Sequence, residues 1–316
     1  MKTAFIFPGQ GTQAVGMGRD FTARHPAVFG PLFEEANDIL GFDLKKLCFQ
    51  GPIEELTDTS VAQSAIYTVS VGVHRLLMQE GFKPDIVAGL SLGQFAAIAA
   101  SGAMTFQDGL NIVKRRGKLM SEVKRLGEMV AVITLNEETM DHVKEIVAAR
   151  GGNIGVDNSP TQVVLSGEAE TMRALFEELG TITGVKPRML RVSQAFHSEL
   201  MAEMEDELMD YVAQFPLQRP DTPIILNCEA SVEYTLQAIL DDIRGQCTKT
   251  VQWRKTVDKL AELGVDTLVE VGASRTLVGL MKAWPQHKWT LCTTDSTSNY
   301  MRTVKTLKTQ AGVLKG

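Results

Sequence analysis

Short apolar runs alternate along this 316-residue chain with segments of helical periodicity, and this alternation limits the folds open to it. One apolar run at residues 3–7 ends at Pro8, and a second at residues 85–89 lies between helical patterns at 66–77 and 92–100. Apolar strands without polar alternation are typical of a parallel sheet that helices cover on both faces. The pattern therefore predicts an α/β fold with a central, mostly parallel sheet.

The units become shorter between residues 127 and 192. Four strand patterns and two helical patterns follow one another there, at residues 129–134, 137–150, 154–156, 162–166, 169–179 and 187–192. Their order is that of a ferredoxin-like (βαββαβ) unit. The buried-strand pattern resumes at residues 268–271, so this unit is expected to be an insertion. We expect a large α/β-hydrolase-like domain from residues 1–126 and 193–316, with a small ferredoxin-like subdomain at 127–192.

Composition argues against several classes of function. The chain has 32 Lys and Arg against 38 Asp and Glu, a formal net charge of −6, so nucleic acid is not an expected partner. No stretch approaches the roughly 18 uninterrupted apolar residues that span a bilayer, and the first residues lack a signal-peptide core. The four cysteines are scattered without a Cys-x-x-Cys pair. We therefore expect a cytoplasmic protein with no metal site, no disulfide framework and no membrane partner.

The strongest chemical signal is the sequence Gly89-Leu90-Ser91-Leu92-Gly93, a G-x-S-x-G between a strand pattern and a helical pattern. Glycines relieve crowding in a sharp strand-to-helix turn, which projects the serine hydroxyl outward. The N-terminus of the following helix supplies unpaired N–H groups for an oxyanion. Such pentapeptides also occur by chance in loops, but the flanking strand and alanine-rich helix favour Ser91 as a nucleophile.

A serine nucleophile needs a base, and the chain has five histidines. His197 lies between a predicted strand end and a new helix, where open α/β sheets place functional residues. The other four are most simply solvated or partly buried side chains: His25, His74, His142 and His287. A loop histidine that caps a helix is the alternative interpretation, and elimination makes His197 the candidate base.

Two adjacent arginines occur in the helical pattern at residues 105–123, which opens with a capping box. At about 100° per residue, Arg115 points away from the apolar face, while Arg116 flanks it and is placed to reach over a cleft. A guanidinium there suits a planar carboxylate. A surface arginine whose stem covers apolar neighbours explains the pattern equally well.

The loop after the first strand invites a different interpretation. Gly9-x-Gly11-x-x-Ala14 satisfies a relaxed dinucleotide-binding fingerprint. That fingerprint also needs an acidic residue after a second strand, whereas Glu34 and Glu35 fall within a helical stretch. The alternative is that this loop donates a backbone N–H to the same oxyanion as Leu92.

Together these motifs resemble the bacterial malonyl-CoA:acyl carrier protein transacylases, and through them the acyltransferase domains of polyketide synthases. The likeness runs from Phe5 to about Lys282. Its motifs occur in the expected order at residues 7–13, 63, 89–93, 116–120, 158–167, 195–198, 246–253 and 270–272. The chain departs from the family at Leu90, where most members have histidine, and at Gln94, where most have glutamate.

The resemblance implies a role for each matching residue. Ser91 would be the acyl-carrying nucleophile and His197 the base, with the backbone N–H groups of Gln10 and Leu92 as oxyanion donors. Arg116 would bind the malonyl carboxylate. The remaining substrate-binding positions are Gln63, Asn158 and Phe196. The backbone carbonyl of Gln246 would orient the histidine in place of a buried aspartate.

The implied activity is malonyl transfer from malonyl-CoA to the phosphopantetheine thiol of acyl carrier protein, through a malonyl-serine intermediate, in fatty acid biosynthesis. It needs no cofactor, and we expect a monomer. A trans-acting polyketide acyltransferase has the same chemistry. A serine hydrolase or thioesterase is one alternative, and it would require a buried Asp or Glu in the sequence between Ser91 and His197. A non-catalytic carrier-docking subunit is another, and it would not require Ser91 and His197.

A local basic cluster is a candidate docking surface for the acidic carrier protein. It comprises Lys114, Arg115, Lys118, Lys124 and Arg125. An ordinary solvated helix face is the alternative explanation.

Overall fold

A computed structural model describes residues 2–192 and 194–312. These residues form ten strands: β1 Thr3–Phe7, β2 Ile86–Gly89, β3 Gly127–Thr134, β4 Asn153–Ser159, β5 Gln162–Glu168, β6 Val185–Met189, β7 Ile224–Ile225, β8 Val232–Glu233, β9 Thr267–Glu270 and β10 Thr290–Thr293.

The same residues form fourteen α-helices: α1 Arg19–Arg24, α2 Pro26–Leu40, α3 Leu44–Gln50, α4 Ile53–Thr57, α5 Thr59–Gln79, α6 Gly93–Ala100, α7 Phe106–Glu122, α8 Glu137–Ala149, α9 Ala169–Gly180, α10 Glu205–Val212, α11 Leu236–Gly245, α12 Trp253–Glu262, α13 Thr276–Leu280 and α14 Thr297–Gln310. Short 3₁₀ helices occupy Glu199–Met204 and Met281–Ala283. None of the described helices combines the length and the apolarity needed to cross a membrane.

The larger sheet has six strands in the order β10-β9-β1-β2-β7-β8. Every neighbouring pair is parallel except the β7–β8 hairpin. Phe7 pairs with Gly89 and Ile6 with Glu270, so the carboxyl ends of the central strands meet at one edge. Loops that follow these strands are therefore brought together, which is where open α/β sheets place ligands.

Both faces of this sheet are buried, as the uninterrupted apolar strands predict. Phe5 and Phe7 point to one face, which is covered by helices that include α2, α5 and α7. Ala4 and Ile6 point to the other face, against α12 and α13. The alternation follows from the two-residue period of a strand, and it gives the sheet a separate apolar core on each side.

The smaller sheet has four antiparallel strands in the order β4-β5-β3-β6, the ferredoxin-like arrangement. Helices α8 and α9 cover one face, where they pack on Val130, Val132, Val163 and Leu165. The predicted fold class, a mostly parallel central sheet with a separate antiparallel unit, is confirmed. The division of the chain at residues 127 and 192 stays a prediction.

The expected last strand of the small unit, at residues 187–192, is wrong in its bounds. Strand β6 begins at Val185 and ends at Met189, because its partners on β3 end at Val130. The chain then leaves the sheet towards residue 197. Side-chain patterning could not place this boundary, since the strand lies at a sheet edge and alternates between exposed and half-buried positions.

Backbone hydrogen bonds tie the small sheet to a segment outside both sheets, residues 250–251. Val251 N–H donates to the carbonyl of Gly155 at 2.9 Å, and Asp157 N–H donates to the carbonyl of Val251 at 3.0 Å. The Thr250 hydroxyl adds a bond to the carbonyl of Ile154 at 2.6 Å. These bonds tie β4 to the segment before α12 and thus fix the small sheet beside the large one.

Candidate active site

Ser91 lies in a sharp turn between β2 and α6. Its φ of 52° is in the left-handed region that residues other than glycine rarely adopt. A Cβ on Gly89 would lie 2.1 Å from the carbonyl carbon of Gly93, and a Cβ on Gly93 would lie 2.0 Å from the carbonyl oxygen of Phe7. Only glycine fits at either position, so the two glycines allow the turn that directs Ser91 into the cavity.

His197 contacts Ser91 directly: its Nε2 lies 2.7 Å from the serine Oγ. Its Nδ1 lies 2.5 Å from the carbonyl oxygen of Gln246. Because a carbonyl only accepts hydrogen bonds, Nδ1 carries the proton and Nε2 presents its lone pair to the serine hydroxyl. The structure thus brings together two residues that are 106 positions apart and holds the imidazole in the tautomer that a base needs.

Burial sets the protonation state of the imidazole. It lowers the pKa of His197 to about 4, the nearby charge of Arg116 acts in the same direction, and the Gln246 carbonyl opposes both. The histidine is therefore neutral at physiological pH.

The small sheet holds the loop that carries the histidine. The Ser166 hydroxyl donates to the carbonyl of Phe196 at 2.5 Å, and the Asn153 amide donates to the carbonyl of His197 at 2.9 Å. Ser198 closes the loop with a 2.7 Å bond to the carbonyl of Ala195. His197 has a φ of 60°, and these bonds supply the constraint that such a backbone conformation requires.

Arg116 is buried, with only 2% of the residue exposed. Its Nη1 donates to Gln63 Oε1 at 2.7 Å, and its Nη2 donates to Gln246 Oε1 at 3.1 Å and to Ser91 Oγ at 3.4 Å. Its guanidinium carbon lies 5.3 Å from the centre of the Phe95 ring. The structure therefore places it beside the nucleophile, deeper than the helical periodicity indicates.

The charge of Arg116 is not balanced by a carboxylate among the described residues, since its partners there are amide and hydroxyl oxygens. Burial lowers its pKa to about 10, so the guanidinium stays charged near neutral pH. Its Nε–H is buried without a hydrogen-bond partner in the described structure. A buried, unpaired cation is costly, so this position is suited to an anion that arrives with a ligand.

The neighbouring Arg115, which the periodicity of its helix directs away from the apolar face, is paired with a second helix. It forms an ion pair with Glu207, and its guanidinium lies 5.9 Å from the centre of the Tyr211 ring. Helix α10 packs against α7 and supplies both partners, which helical periodicity alone could not reveal.

The loop after β1 lies directly against the serine turn. A Cβ on Gly9 would be 2.6 Å from the carbonyl oxygen of Leu90, and Gln10 lines the same cavity as Ser91. Leu92 precedes the first residue of α6. This placement favours the oxyanion-loop interpretation of residues 9–14 over the dinucleotide fingerprint. The oxyanion role of the Gln10 and Leu92 amides stays a prediction.

A cavity of about 340 Å³ opens onto the nucleophile and the base. Its walls come from both sheets and include Gln10, Met120, Met129, Asn158, Gln162 and Phe196. Gln63 and Gln246 are fully buried and, like Arg116, are not among the described residues that line it. The predicted site residues therefore divide into a set that faces the cavity and a set that surrounds the buried guanidinium.

Asn227 belongs to the site but was not predicted from the sequence. Its Oδ1 accepts the N–H of Ser91 at 2.7 Å, and its Nδ2 donates to the carbonyl of Gly89 at 2.7 Å and to Gln94 Oε1 at 2.8 Å. The available signal was its position after the apolar run at residues 224–226, which contains β7, the neighbour of β2.

The basic cluster proposed as a docking surface is largely engaged within the molecule. Arg115 and Arg125 pair with Glu207 and Glu168, and Lys118 lies 3.7 Å from Glu122. The Lys114 ammonium donates to a backbone carbonyl at 2.8 Å. These contacts reduce the number of positive charges that are free to bind an acidic partner.

Residues 4–288 match the family described as acyl transferase domain. The malonyl CoA-acyl carrier protein transacylase of Bacillus subtilis (strain 168) is 35% identical over 299 residues, covering 93% of this chain and 94% of that protein. The polyketide biosynthesis malonyl CoA-acyl carrier protein transacylase PksC of the same organism is 35% identical over 281 residues, covering 88% of this chain and 95% of that protein.

The fold is also similar to a solved structure of a type II polyketide synthase acyl-carrier protein in complex with its malonyl-transacylase. The two superpose with a TM-score of 0.89 at 31% identity, covering 97% of this chain and 100% of the other.

Proposed function

This chain belongs to the acyl transferase domain family, and from that premise we propose that it transfers a malonyl group from malonyl-CoA to the phosphopantetheine thiol of acyl carrier protein. One observation carries the proposal. The buried guanidinium of Arg116, unpaired with any described carboxylate, lies 3.4 Å from a serine oxygen that is itself 2.7 Å from a neutral histidine. A nucleophile, a base and an anion-binding group thus meet at one atom.

In the first half-reaction, Ser91 Oγ attacks the thioester carbonyl carbon of malonyl-CoA while His197 Nε2 takes the hydroxyl proton. The carbonyl oxygen becomes an oxyanion, which the N–H groups of Gln10 and Leu92 stabilise. The carbon–sulfur bond then breaks, and the imidazolium returns its proton to the departing thiolate. The products are a malonyl-serine ester and free CoA.

The second half-reaction reverses these steps with a different thiol. His197 takes the proton of the phosphopantetheine thiol, whose sulfur attacks the ester carbonyl carbon of malonyl-Ser91. The carbon–oxygen bond to the serine breaks and the imidazolium protonates Ser91 Oγ. The malonyl group leaves on the carrier, and the free enzyme is restored without an outside oxidant, reductant or cofactor.

Arg116 gives the preference for a carboxylate-bearing acyl group. A charge-assisted hydrogen bond in a partly dry site is worth about 10–150-fold in selectivity. An acetyl group would occupy the site and leave the guanidinium unpaired. Gln63 and Gln246 hold the guanidinium from both sides, so its position is fixed before the substrate arrives.

Fatty acid biosynthesis is the pathway that we propose for this chain. The similarity to PksC supports a trans-acting polyketide acyltransferase as the second candidate, which differs only in the carrier protein that it serves. A hydrolase is less well supported, because the histidine is oriented by a backbone carbonyl and not by a carboxylate. A cytoplasmic location, a monomeric state and the absence of a cofactor stay predictions.

Intact-mass measurement after mixing with malonyl-CoA tests the proposal. The protein should gain one malonyl group, and Ser91→Ala should gain none. The adduct should persist in buffer and disappear when holo-acyl carrier protein is added. Rapid loss of the adduct to water without a carrier would favour the hydrolase, and failure to acylate at all would favour a non-catalytic carrier-docking subunit.

A further inference from the structure

We propose that Asn227 is a positioning residue that holds Ser91 in its reactive backbone conformation. The inference rests on the proposed function only in taking Ser91 as the nucleophile. It concerns a residue far from the serine in sequence, since the two are 136 positions apart.

The three hydrogen bonds of the Asn227 side chain all go to the turn that presents Ser91. The amide oxygen accepts the Ser91 N–H at 2.7 Å, and the amide nitrogen donates to the Gly89 carbonyl at 2.7 Å and to Gln94 at 2.8 Å. Only 2% of Asn227 is exposed. The side chain therefore contacts the last residue of β2, the nucleophile and the second residue of α6.

Ser91 needs such a constraint because its left-handed φ of 52° is unfavourable for a residue with a side chain. A rotation towards the ordinary region would redirect Oγ away from His197 Nε2. The bond from the Ser91 N–H to Asn227 opposes that rotation, since turning the peptide plane breaks it. Asn227 thus contributes to the 2.7 Å contact between nucleophile and base without touching either reacting atom.

Asn227 is itself anchored. The N–H of the next residue, Cys228, donates to the carboxyl group of Asp242 at 2.8 Å, and the carbonyl of Asn227 accepts the N–H of Gln252 at 2.8 Å. Asp242 is in α11, four residues before Gln246, whose carbonyl binds His197. Helix α11 and its C-cap residue Gln246 therefore support both members of the pair, the serine through Cys228 and Asn227 and the histidine through the Gln246 carbonyl.

Because of this arrangement, Asn227 should affect the rate of acylation and not the binding of malonyl-CoA. The Ser91 N–H is occupied by Asn227 and is not free to act as an oxyanion donor. Asn227 is not among the described residues that line the cavity. Its loss should slow acylation while leaving the affinity for malonyl-CoA nearly unchanged.

The test measures single-turnover acylation of Ser91 in Asn227→Ala by rapid quench and intact mass. The first-order rate at saturating malonyl-CoA should fall by about 10–100-fold, since several net hydrogen bonds are lost. The half-saturating concentration should change by less than about twofold. Sulfonylation of Ser91 by phenylmethanesulfonyl fluoride should slow in parallel, which tests the serine turn independently of the malonyl substrate.

Two variants provide the comparison. Asn227→Asp keeps an acceptor for the Ser91 N–H but places a carboxylate oxygen against the Gly89 carbonyl where the amide donated, so it should be acylated more slowly than the wild type. Thr303→Val removes a buried hydrogen bond to the carbonyl of Thr293 on β10 and should leave the rate unchanged. If Asn227→Ala does not fold, Gln94→Ala, which removes one of the three bonds, should slow acylation about two- to tenfold.

A folded Asn227→Ala protein that is acylated and sulfonylated within about twofold of the wild-type rate would overturn the proposal. If the wild-type serine is sulfonylated but never malonylated, the proposed function fails, and the sulfonylation rates still decide the role of Asn227.

Discussion

Arg116 is a buried charge in the protein without a ligand. Removing its side chain therefore tests whether this charge selects malonyl over acetyl groups. In Arg116→Ala, malonyl transfer should fall by about 10–150-fold, whereas acetyl transfer from acetyl-CoA should stay or rise, because no unpaired guanidinium opposes the neutral group. The ratio of kcat/KM for the two thioesters measures this directly.

The adjacent arginine provides a matched control. Arg115→Ala removes the same charge one position away, but its partner is Glu207 at the surface, so the ratio should not change. Equal losses of malonyl and acetyl transfer in Arg116→Ala would instead show that the arginine only supports the fold.

A pH profile tests the state of the base. The folded-state pKa of His197 is lowered to about 4, so the imidazole is neutral and competent above that value and is lost as a base when the pH falls through it. Acylation under kcat/KM conditions should therefore be flat from about pH 8 to 6 and reach half its plateau near pH 4. Brief pH jumps avoid acid unfolding, and a midpoint near 6.5 would contradict the burial argument.

Sequence reasoning reached some of these residues and not others. Ser91 and His197 lie in short local motifs, which can be recognised in the amino-acid sequence alone. The hydrogen bond between Asn227 and Ser91 joins loops from different parts of the chain, so no local pattern marks it. The depth of Arg116 also depends on what packs over α7, whereas helical periodicity gives only a direction around its own axis.

At the scale of elements, the first residue of α6, Gly93, packs so closely on the end of β1 that no side chain fits there. In Gly93→Ala the new Cβ would lie 2.0 Å from the Phe7 carbonyl oxygen, so the helix must move. We expect a loss of stability of at least about 1–3 kcal/mol and a larger loss of acylation, because Ser91 moves with the helix. Thermal unfolding and intact mass measure the two effects.

Gly30 on α2 is the control for that substitution. A Cβ there meets nothing within 4 Å, so Gly30→Ala should raise stability by about 0.4–1 kcal/mol through the unfolded state and leave acylation unchanged. A Gly93→Ala protein with wild-type stability would show that the helix can shift at no cost.

The long apolar and periodic elements were predictable, and the short ones were not. Strands β1 and β2 lie where apolar runs predict them, because each is buried along its whole length. Strands β7 and β8 have two residues each, too few for any periodicity to appear. Strand β7 forms because it pairs with the edge of β2, and β8 forms because it pairs with β7. These pairings exist only in the folded sheet, so the sequence does not indicate them.

For the molecule as a whole, the site depends on contact between the two sheets. The large sheet supplies Ser91, and the small sheet holds the histidine loop through Ser166 and Asn153. In the double variant Ser166→Ala/Asn153→Ala, both carbonyl contacts disappear while the two sheets keep their cores. Acylation should fall about tenfold, since two net hydrogen bonds are lost.

Hydrogen exchange reports on the cause of that loss. Amides of the histidine loop, residues 194–198, should exchange faster in the double variant, while amides of β1 and β2 keep their protection. Unchanged exchange in the loop together with wild-type acylation would show that the small sheet does not restrain the base.

The order of the parts along the chain has a consequence for synthesis. Strand β1 is made first but lies between β2 and β9, so the centre of the large sheet cannot close until residues beyond 267 have left the ribosome. At ordinary translation speeds, about 10–30 s separate the serine from the segment around residue 252 that completes its surroundings. A nascent chain therefore carries its nucleophile well before the residues that position this serine have been made.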